Sequence, residues 1–304
     1  MEPLSLRLFG DVKLTSGSIG DIALPRKTQL LLAYLALDGG NPVPRDKLAS
    51  LIWLERAEEQ ARHSLRQCLF TLAKSIGGDA PSFIDADRHQ VSLNPDNVDV
   101  DTWRFERLLS EDTPDALRQA GALYVDDLLA NVSFEDETLD AWCVAERARF
   151  RELCYEALAK LSSHYADTAN LDAAMDTSRR LIVLDPLRED GHRTVMRLYS
   201  RAGRRADALR QYQQCVETLR RELGVEPEAA TTRLHLEIRR RPEDGDALAE
   251  QIVQPSDDGP RAPNDERPDM VRTVVRRKHF ALFAGLVLLL TLAGITLWLS
   301  LSPQ

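Results

Sequence analysis

The sequence predicts a mainly α-helical protein in three parts: a small α+β domain over residues 1–98, an all-α repeat domain over 99–240, and one transmembrane helix over 280–301. Three observations predict this class. Short alternating apolar segments give way to helical stripes within the first hundred residues. A spacing of 34 residues relates small and apolar positions farther along the chain. An uncharged apolar run lies near the C terminus.

The composition is ordinary for a globular protein, with 43% hydrophobic and 29% charged residues among 304. A chain of this length holds about two domains and a tail. The formal net charge of -9 excludes a protein that grips nucleic acid through bulk positive potential, so any DNA binding must be local. The four cysteines occur singly, which favours reduced packing residues in a cytosolic compartment.

The first segments predict a small antiparallel sheet followed by a helix. Apolar residues alternate over 4–8, 12–14 and 19–24, with turn signals at Gly10-Asp11 and Ser16-Gly17. The period then becomes helical, and Gly39-Gly40 is expected to end this first helix. The apolar stripe of the helix comprises Leu30, Leu31, Tyr34, Leu35 and Leu37.

Two further helices are predicted. Pro44 begins a short one, and a longer third helix runs from about Glu58 to Ile76. Its buried stripe comprises Ala61, Leu65, Cys68, Leu69, Leu72 and Ile76. Its opposite face carries His63, Arg66, Gln67, Phe70 and Lys74. A helix with long polar and cationic side chains, preceded by a shorter helix, is what recognition of base edges and phosphates requires.

A hairpin is predicted after the third helix. The segments 83–85 and 90–93 flank Asp87-Arg88-His89, which would lay Arg88 and His89 on the backbone along a minor groove. A sheet, three helices and a hairpin in this order indicate a winged helix-turn-helix. The alternative is a solvated amphipathic helix beside a satellite hairpin.

At this point the sequence resembles a family, the OmpR-type winged helix joined to a bacterial transcriptional activation domain, as in the antibiotic-pathway regulators of actinomycetes. The resemblance covers about residues 4–240. It rests on LRLFGDVKL, PRKTQLLLAYLAL, PRDKLASLIW, ARHSLRQCLFTLAKSIG, SFIDADRHQVSLNPDNVDVDTWRFERLL and GRRADALRQYQQCVETLRRELGVEP.

The resemblance implies which residues meet double-stranded DNA. Residues implied to approach the major groove are Arg62, His63, Arg66 and Gln67, and those implied to lie near phosphates are Arg45, Lys47 and Arg88. Glu55, Glu58 and Glu59 depart from this pattern, because they bring negative charge just ahead of the third helix. Tight binding is therefore expected to need a homodimer or higher oligomer on repeated half-sites.

Residues 99–240 show helical period throughout and an internal repeat. Pairs 34 residues apart are Leu161 and Val195, Tyr165 and Tyr199, Ala174 and Ala208, and Leu181 and Cys215. This is the tetratricopeptide (TPR) period, so the sequence predicts a TPR-like domain that stacks helices and contacts RNA polymerase or another protein. The alternative is a spacer or a dimerisation core.

The segment 280–301 has 22 residues without a charge, about what a helix needs to cross a bilayer. Arg272, Arg276, Arg277 and Lys278 precede it, and Trp298 lies near its other end. The positive-inside rule then places the N-terminal body in the cytoplasm, with a single pass through the inner membrane. The preceding segment, 241–279, is rich in Pro, Asp and Glu with a basic juxtamembrane end, and predicts a disordered linker.

The chain contains no GxxxxGK[ST], GxGxxG after a strand, HExxH or GxSxG. We therefore expect no enzyme, no cofactor and no metal site. The sequence predicts a membrane-tethered, DNA-binding transcription regulator, an activator that contacts RNA polymerase or another partner. The alternative is a membrane-bound TPR-type adaptor that recruits proteins without sequence-specific DNA binding.

Overall fold

A computed structural model describes residues 4–76, 83–132 and 137–240 of the chain. The predicted linker at 241–279 and the predicted transmembrane helix at 280–301 lie outside the described residues. Within the described ranges, no helix is both long and apolar enough to span a bilayer.

The chain begins with three short antiparallel strands, β1 (Leu4–Arg7), β2 (Lys13–Ser16) and β3 (Gly20–Ile22). Leu4 and Leu6 alternate with more exposed residues in β1, as the period of a half-buried strand requires. The predicted antiparallel sheet is confirmed.

Three helices follow, α1 (Arg26–Leu37), α2 (Arg45–Ile52) and α3 (Glu58–Ile76). Gly39 and Gly40 stop α1 because both adopt positive φ, +73° and +74°, and the Gly40 amide donates to the Leu35 carbonyl. On α3, Ala61, Leu65, Leu72 and Ile76 are buried and Cys68 and Leu69 are half-buried, as the apolar stripe predicted.

The predicted hairpin is formed by β5 (Ile84–Ala86) and β6 (Gln90–Leu93), which pair antiparallel. A two-residue strand, β4 (Val43–Pro44), pairs with β6 on its other edge and had no signal in the sequence. Because β4 runs directly into α2, the hairpin is joined to the helix that precedes α3.

The strand β7 (Val98–Val100), also absent from the sequence prediction, returns the chain to the first sheet, whose order is β3-β2-β1-β7. It pairs parallel to β1, with Leu4 opposite Val98 and Leu6 opposite Val100. Asp101 follows at once, and its carboxylate accepts hydrogen bonds of 2.9 to 3.0 Å from the amides of Leu8 and Phe9.

The rest of the described chain is helical. Its helices are α4 (Asp101–Glu111), α5 (Pro114–Leu123), α6 (Glu137–Asp167), α7 (Leu171–Leu184), α8 (Glu189–Arg201), α9 (Arg205–Leu223) and α10 (Ala229–Arg240). The 34-residue offset is present, since α7 begins at Leu171 and α9 at Arg205. Equivalent positions of the two hairpins are buried alike: Ala174 and Ala208 are both fully buried.

One continuous core crosses the predicted boundary between residues 98 and 99. Phe9 follows β1, and its ring centroid lies 5.3 Å from Phe105 on α4, 5.0 Å from Tyr124 after α5 and 5.4 Å from Phe150 on α6. A second contact joins α4 to α1: the indole Nε1 of Trp103 donates a hydrogen bond to the Ala36 carbonyl at 2.6 Å. The predicted boundary falls within β7, the strand that precedes α4, and the two parts share their hydrophobic core.

Candidate nucleic-acid interface

One face of α3 carries an exposed row of polar and aromatic side chains. His63, Gln67, Phe70 and Lys74 follow one another at intervals of three or four residues, so they lie along one side of the helix. All four are exposed, and Phe70 keeps 67% of its surface accessible. A single exposed apolar side chain is ordinary on a protein surface, so this row is a candidate contact surface because polar and cationic side chains flank Phe70 along one side of the helix.

Four arginines lie together beside this face. Arg45 of α2, Arg62 and Arg66 of α3 and Arg88 of the hairpin turn line one open cleft, which we call the arginine cleft. Arg45 fixes the geometry of this cleft, because its Nε donates to the Asp87 carbonyl at 2.7 Å and its amide donates to the His89 carbonyl at 2.8 Å. The start of α2 and the hairpin turn are therefore held as one surface.

The hairpin turn is shaped by Asp87. The Asp87 Oδ1 accepts hydrogen bonds from the amides of His89 at 2.7 Å and Gln90 at 2.8 Å. These two amides hold the pKa of the Asp87 carboxyl below its usual range. The carboxylate is thus bound within the turn, and the side chains of Arg88 and His89 are exposed at its tip.

The cations of the cleft differ in their partners. Arg62 forms two ion pairs, with Asp46 at 2.7 Å and with Glu58 at 2.5 Å. The hydrogen bond and charge of Asp46 raise the pKa of Arg62 above its usual range. Arg66 and Arg88, by contrast, form no ion pair with any residue in the described ranges. These two guanidinium groups are available to an incoming anion, as are the donors of Arg45 other than the Nε that contacts the Asp87 carbonyl.

Lys47 lies apart from the other predicted phosphate contacts. Its Nζ is 5.5 Å from the ring centroid of Tyr34, whose hydroxyl contact raises the pKa of this lysine. Consecutive helical side chains diverge by about 100°, so Lys47 turns toward α1 while Asp46 faces the cleft. The Tyr34 ring in turn packs on Trp142 of α6 at 5.3 Å.

The sequence prediction missed two residues of this region. Asp46, the partner of Arg62, lies in the first turn of α2 and has no sequence signal that links it to α3. Arg56, whose guanidinium donates to the Ser64 hydroxyl at 2.6 Å, precedes α3 and carried no periodic signal. Arg56 is 8 residues from Ser64 in sequence, and Asp46 is 16 residues from Arg62. Helical period does not predict contacts between residues on different elements.

Among the described residues, no group of three His, Cys, Asp or Glu side chains is placed to hold a metal ion. The cysteines of this part of the chain are unpaired, and three are buried. Burial raises the pKa of Cys154 to about 12 and that of Cys215 to about 11, so these thiols are protonated at neutral pH.

The helices α4 to α10 coincide with a known domain. Residues 100–239 match the family model of the bacterial transcriptional activator domain. The matched region, which we call the activator domain, begins at the end of β7 and includes the seven helices α4 to α10. Its start lies within the shared core, because Phe105, Tyr124 and Phe150 of this domain enclose Phe9.

Two comparisons extend beyond the activator domain into the N-terminal part. The chain is 26% identical over 257 residues to the transcriptional regulator RedD of Streptomyces coelicolor, an alignment covering 77% of this chain and 70% of that protein. It is also similar in structure to Mycobacterium tuberculosis EmbR, solved in complex with a low affinity phosphopeptide. That similarity has a TM-score of 0.60 at 20% identity and covers 83% of this chain and 69% of EmbR.

The likeness to EmbR bears on the fold alone. It includes the winged-helix-like N-terminal part together with the helical domain, so the mainly helical architecture is shared along most of the described chain. The observed order of sheet, three helices and hairpin agrees with the predicted winged helix-turn-helix.

A buried polar contact holds two helices of the activator domain together. His192 of α8 is 2% exposed; its Nδ1 lies 2.9 Å from the Gln211 amide nitrogen, and its Nε2 lies 3.0 Å from the Pro186 carbonyl oxygen. An amide that donates to Nδ1 and a carbonyl that accepts from Nε2 require the neutral ring. Burial lowers the pKa of His192, in agreement with this state.

Proposed function

We propose that this chain is a DNA-binding transcription regulator that reads DNA with α3 and holds the backbone with α2 and the hairpin. The observation that carries the proposal is the arginine cleft beside the exposed face of α3. The match to the bacterial transcriptional activator domain and the 26% identity to a protein named as a transcriptional regulator support it.

The exposed face of α3 has the chemistry of base recognition in a major groove. The amide of Gln67 and the imidazole of His63 suit hydrogen bonds to base edges, and Phe70 suits contact with a thymine methyl group. Lys74 and Arg66 supply charge for phosphates on either side. Arg45, Arg88 and His89 belong to the backbone-contacting surface next to it.

The cleft also reconciles DNA binding with a net charge of -9. Counterions are released by the cations that touch phosphate, and charges more than a Debye length away, roughly 10 Å at 0.1 M salt, are largely screened. A local group of arginines is therefore enough to attach one protomer. A single protomer attached by a few cations binds weakly. We therefore propose that the protein acts as a homodimer or higher oligomer on repeated half-sites.

We propose that the activator domain contacts RNA polymerase or another protein while α3 holds DNA. The rings packed around Phe9 and the hydrogen bond from Trp103 to Ala36 support these two roles, because they join the DNA-binding part and the activator domain through a packed core. A bound partner would then stay at a constant distance and angle from the DNA site.

We further propose that residues 280–301 tether the protein to the inner membrane, with the body in the cytoplasm. The uncharged run and the preceding arginines and lysine support the tether. Its test is extraction of cell membranes with alkaline carbonate: the full-length chain should stay in the pellet, and a chain ending at residue 279 should be released. Release of both would contradict the tether.

DNA binding is tested by fluorescence anisotropy with a duplex from the region upstream of the protein's own gene. Arg66→Ala should weaken binding by about 1 to 3 kcal/mol, since it removes an unpaired cation from the reading surface. Arg104→Ala is the matched control, because Arg104 is an exposed arginine on α4, outside the cleft. Equal binding by all three proteins, or no salt dependence, would refute the proposal and favour the adaptor.

A further inference from the structure

Arg62 is held by two carboxylates on two different helices. Its Nε contacts Asp46 Oδ1 of α2 at 2.7 Å, and its Nη2 contacts Glu58 Oε1 of α3 at 2.5 Å. A guanidinium presents its donors in one plane, and Nε and Nη2 together form its side edge, so these two contacts occupy the donors that a bidentate partner would use on that edge.

The neighbouring arginine of α3 stands in contrast. Arg66 lies one turn farther along the helix, lines the same cleft and has no ion pair within the described residues. Arg62 is also the less accessible of the two, half-buried where Arg66 is exposed. The two residues line the same cleft and differ in their ion-pair partners and in their exposure.

The two carboxylates remain accessible to solvent. The side chains of Asp46 and Glu58 are 67% and 75% exposed, and Arg62 is 42% exposed. Ion pairs in such positions are weak and screened by salt. Removing these ion pairs should therefore leave the fold intact. While they are present, the Arg62 guanidinium donates to carboxylates and not to a phosphate.

We propose that Asp46 and Glu58 withhold Arg62 from DNA, so that the wild-type complex uses Arg66, Arg45 and Arg88 and leaves Arg62 as a masked cation. Asp46 and Glu58 are positioning residues in this scheme, since they act through Arg62. The inference rests on the proposed DNA-binding function. It adds that the affinity for DNA is limited by the two carboxylates that hold Arg62. It also assigns Arg62 a role different from the major-groove contact that the family resemblance implies.

The experiment compares full-length variants by fluorescence anisotropy on one duplex from the upstream region over a series of salt concentrations. The variants are Arg62→Ala, the double variant Asp46→Asn/Glu58→Gln, and the triple variant that combines all three changes. Each neutralised contact with a phosphate adds about 0.9 to the steepness of log K against log salt. The slope therefore counts the phosphates that the protein neutralises, and a new contact by Arg62 would appear in it.

A matched control removes the same charge from the same stretch of sequence. Glu55 and Glu59 flank Glu58 in sequence, ahead of and within the first turn of α3, and are exposed. The charge of Glu59 acts on Arg62 through space, but neither glutamate forms an ion pair with it. The double variant Glu55→Gln/Glu59→Gln therefore reports the general effect of two lost negative charges near DNA. Thermal unfolding of every variant checks that the fold is retained.

We expect Arg62→Ala to change the dissociation constant less than about twofold, because a masked cation contributes little. Asp46→Asn/Glu58→Gln should tighten binding about threefold to tenfold and steepen the salt dependence by about 0.9. The triple variant should lose this gain, and Glu55→Gln/Glu59→Gln should leave the slope unaltered.

Three results would overturn the inference while leaving the proposed function intact. One is a large loss of binding in Arg62→Ala alone, and another is a wild-type slope in Asp46→Asn/Glu58→Gln. The third is retention of the gain in the triple variant, which would trace it to reduced repulsion. Absence of salt-dependent binding in every protein, wild type included, would instead refute the proposed function and the inference with it.

Discussion

Replacing Phe9 by alanine tests whether the winged-helix part and the activator domain share one core. Phe9 is 3% exposed, and three aromatic rings lie within 5.4 Å of its centroid. Truncation of a buried phenylalanine costs about 3 to 5 kcal/mol, most where the cavity cannot collapse. The three rings come from separate segments that are fixed by other contacts, so we expect a loss of about 4 kcal/mol in the free energy of unfolding.

Urea denaturation of the full-length chain in detergent measures this loss, followed by tryptophan fluorescence and by far-UV circular dichroism. Phe70→Ala is the matched control, because the same truncation at a residue that is 67% exposed should change stability by less than about 0.5 kcal/mol. A loss below about 1.5 kcal/mol for Phe9→Ala would refute the shared core, since a deeply buried phenylalanine costs more than that. So would two separate wild-type transitions.

Two further predictions concern the buried histidine and a glycine. The folded state lowers the pKa of His192, so the unfolded chain takes up the proton first and stability should fall as the pH drops below about 6.5. Urea midpoints measured from pH 7 to pH 5 should show a smaller fall for His192→Gln; an identical fall in both proteins would contradict a buried neutral ring. Gly40→Ala should destabilise more than Gly203→Ala in thermal unfolding. Both glycines have positive φ, but only at Gly40 would a Cβ meet a ring, that of Trp103 at 3.1 Å. Equal shifts of the two midpoints would contradict that contact.

Local pattern was enough to predict most of the elements. The run from Glu58 to Ile76 emerged as α3 because one apolar stripe persists along it, and Gly39-Gly40 ended α1 because glycine tolerates positive φ. The 34-residue offset corresponds to two equivalent helical hairpins in the structure, which begin with α7 and α9. In each case the information lies in residues close together in sequence.

Contacts between distant residues were not predictable in the same way. The strands β4 and β7 have two and three residues, too few for a period, and β7 exists because it pairs with β1 some 90 residues earlier. The shared core around Phe9 depends on that pairing. From the sequence alone, residues 98 and 99 were predicted as the boundary between two domains.

At the candidate interface, too, the exposed face of α3 was predictable and the partners of its side chains were not. Helical period selected the exposed side of α3, including His63 and Arg66. Period does not say that Asp46 reaches Arg62 across the turn between α2 and α3, nor that Lys47 lies over Tyr34. Side-chain pairing of this kind depends on the angle between helices, which the packing of the core determines.

The central claim, that the protein binds specific DNA sites through α3, is tested most directly by crosslinking the full-length protein to the chromosome in cells and sequencing the recovered DNA. We expect discrete enriched sites that contain repeated half-sites, and their loss in Arg66→Ala but not in Arg104→Ala. Recovery of proteins without any enriched DNA, or the same enrichment in Arg66→Ala as in the wild type, would contradict it.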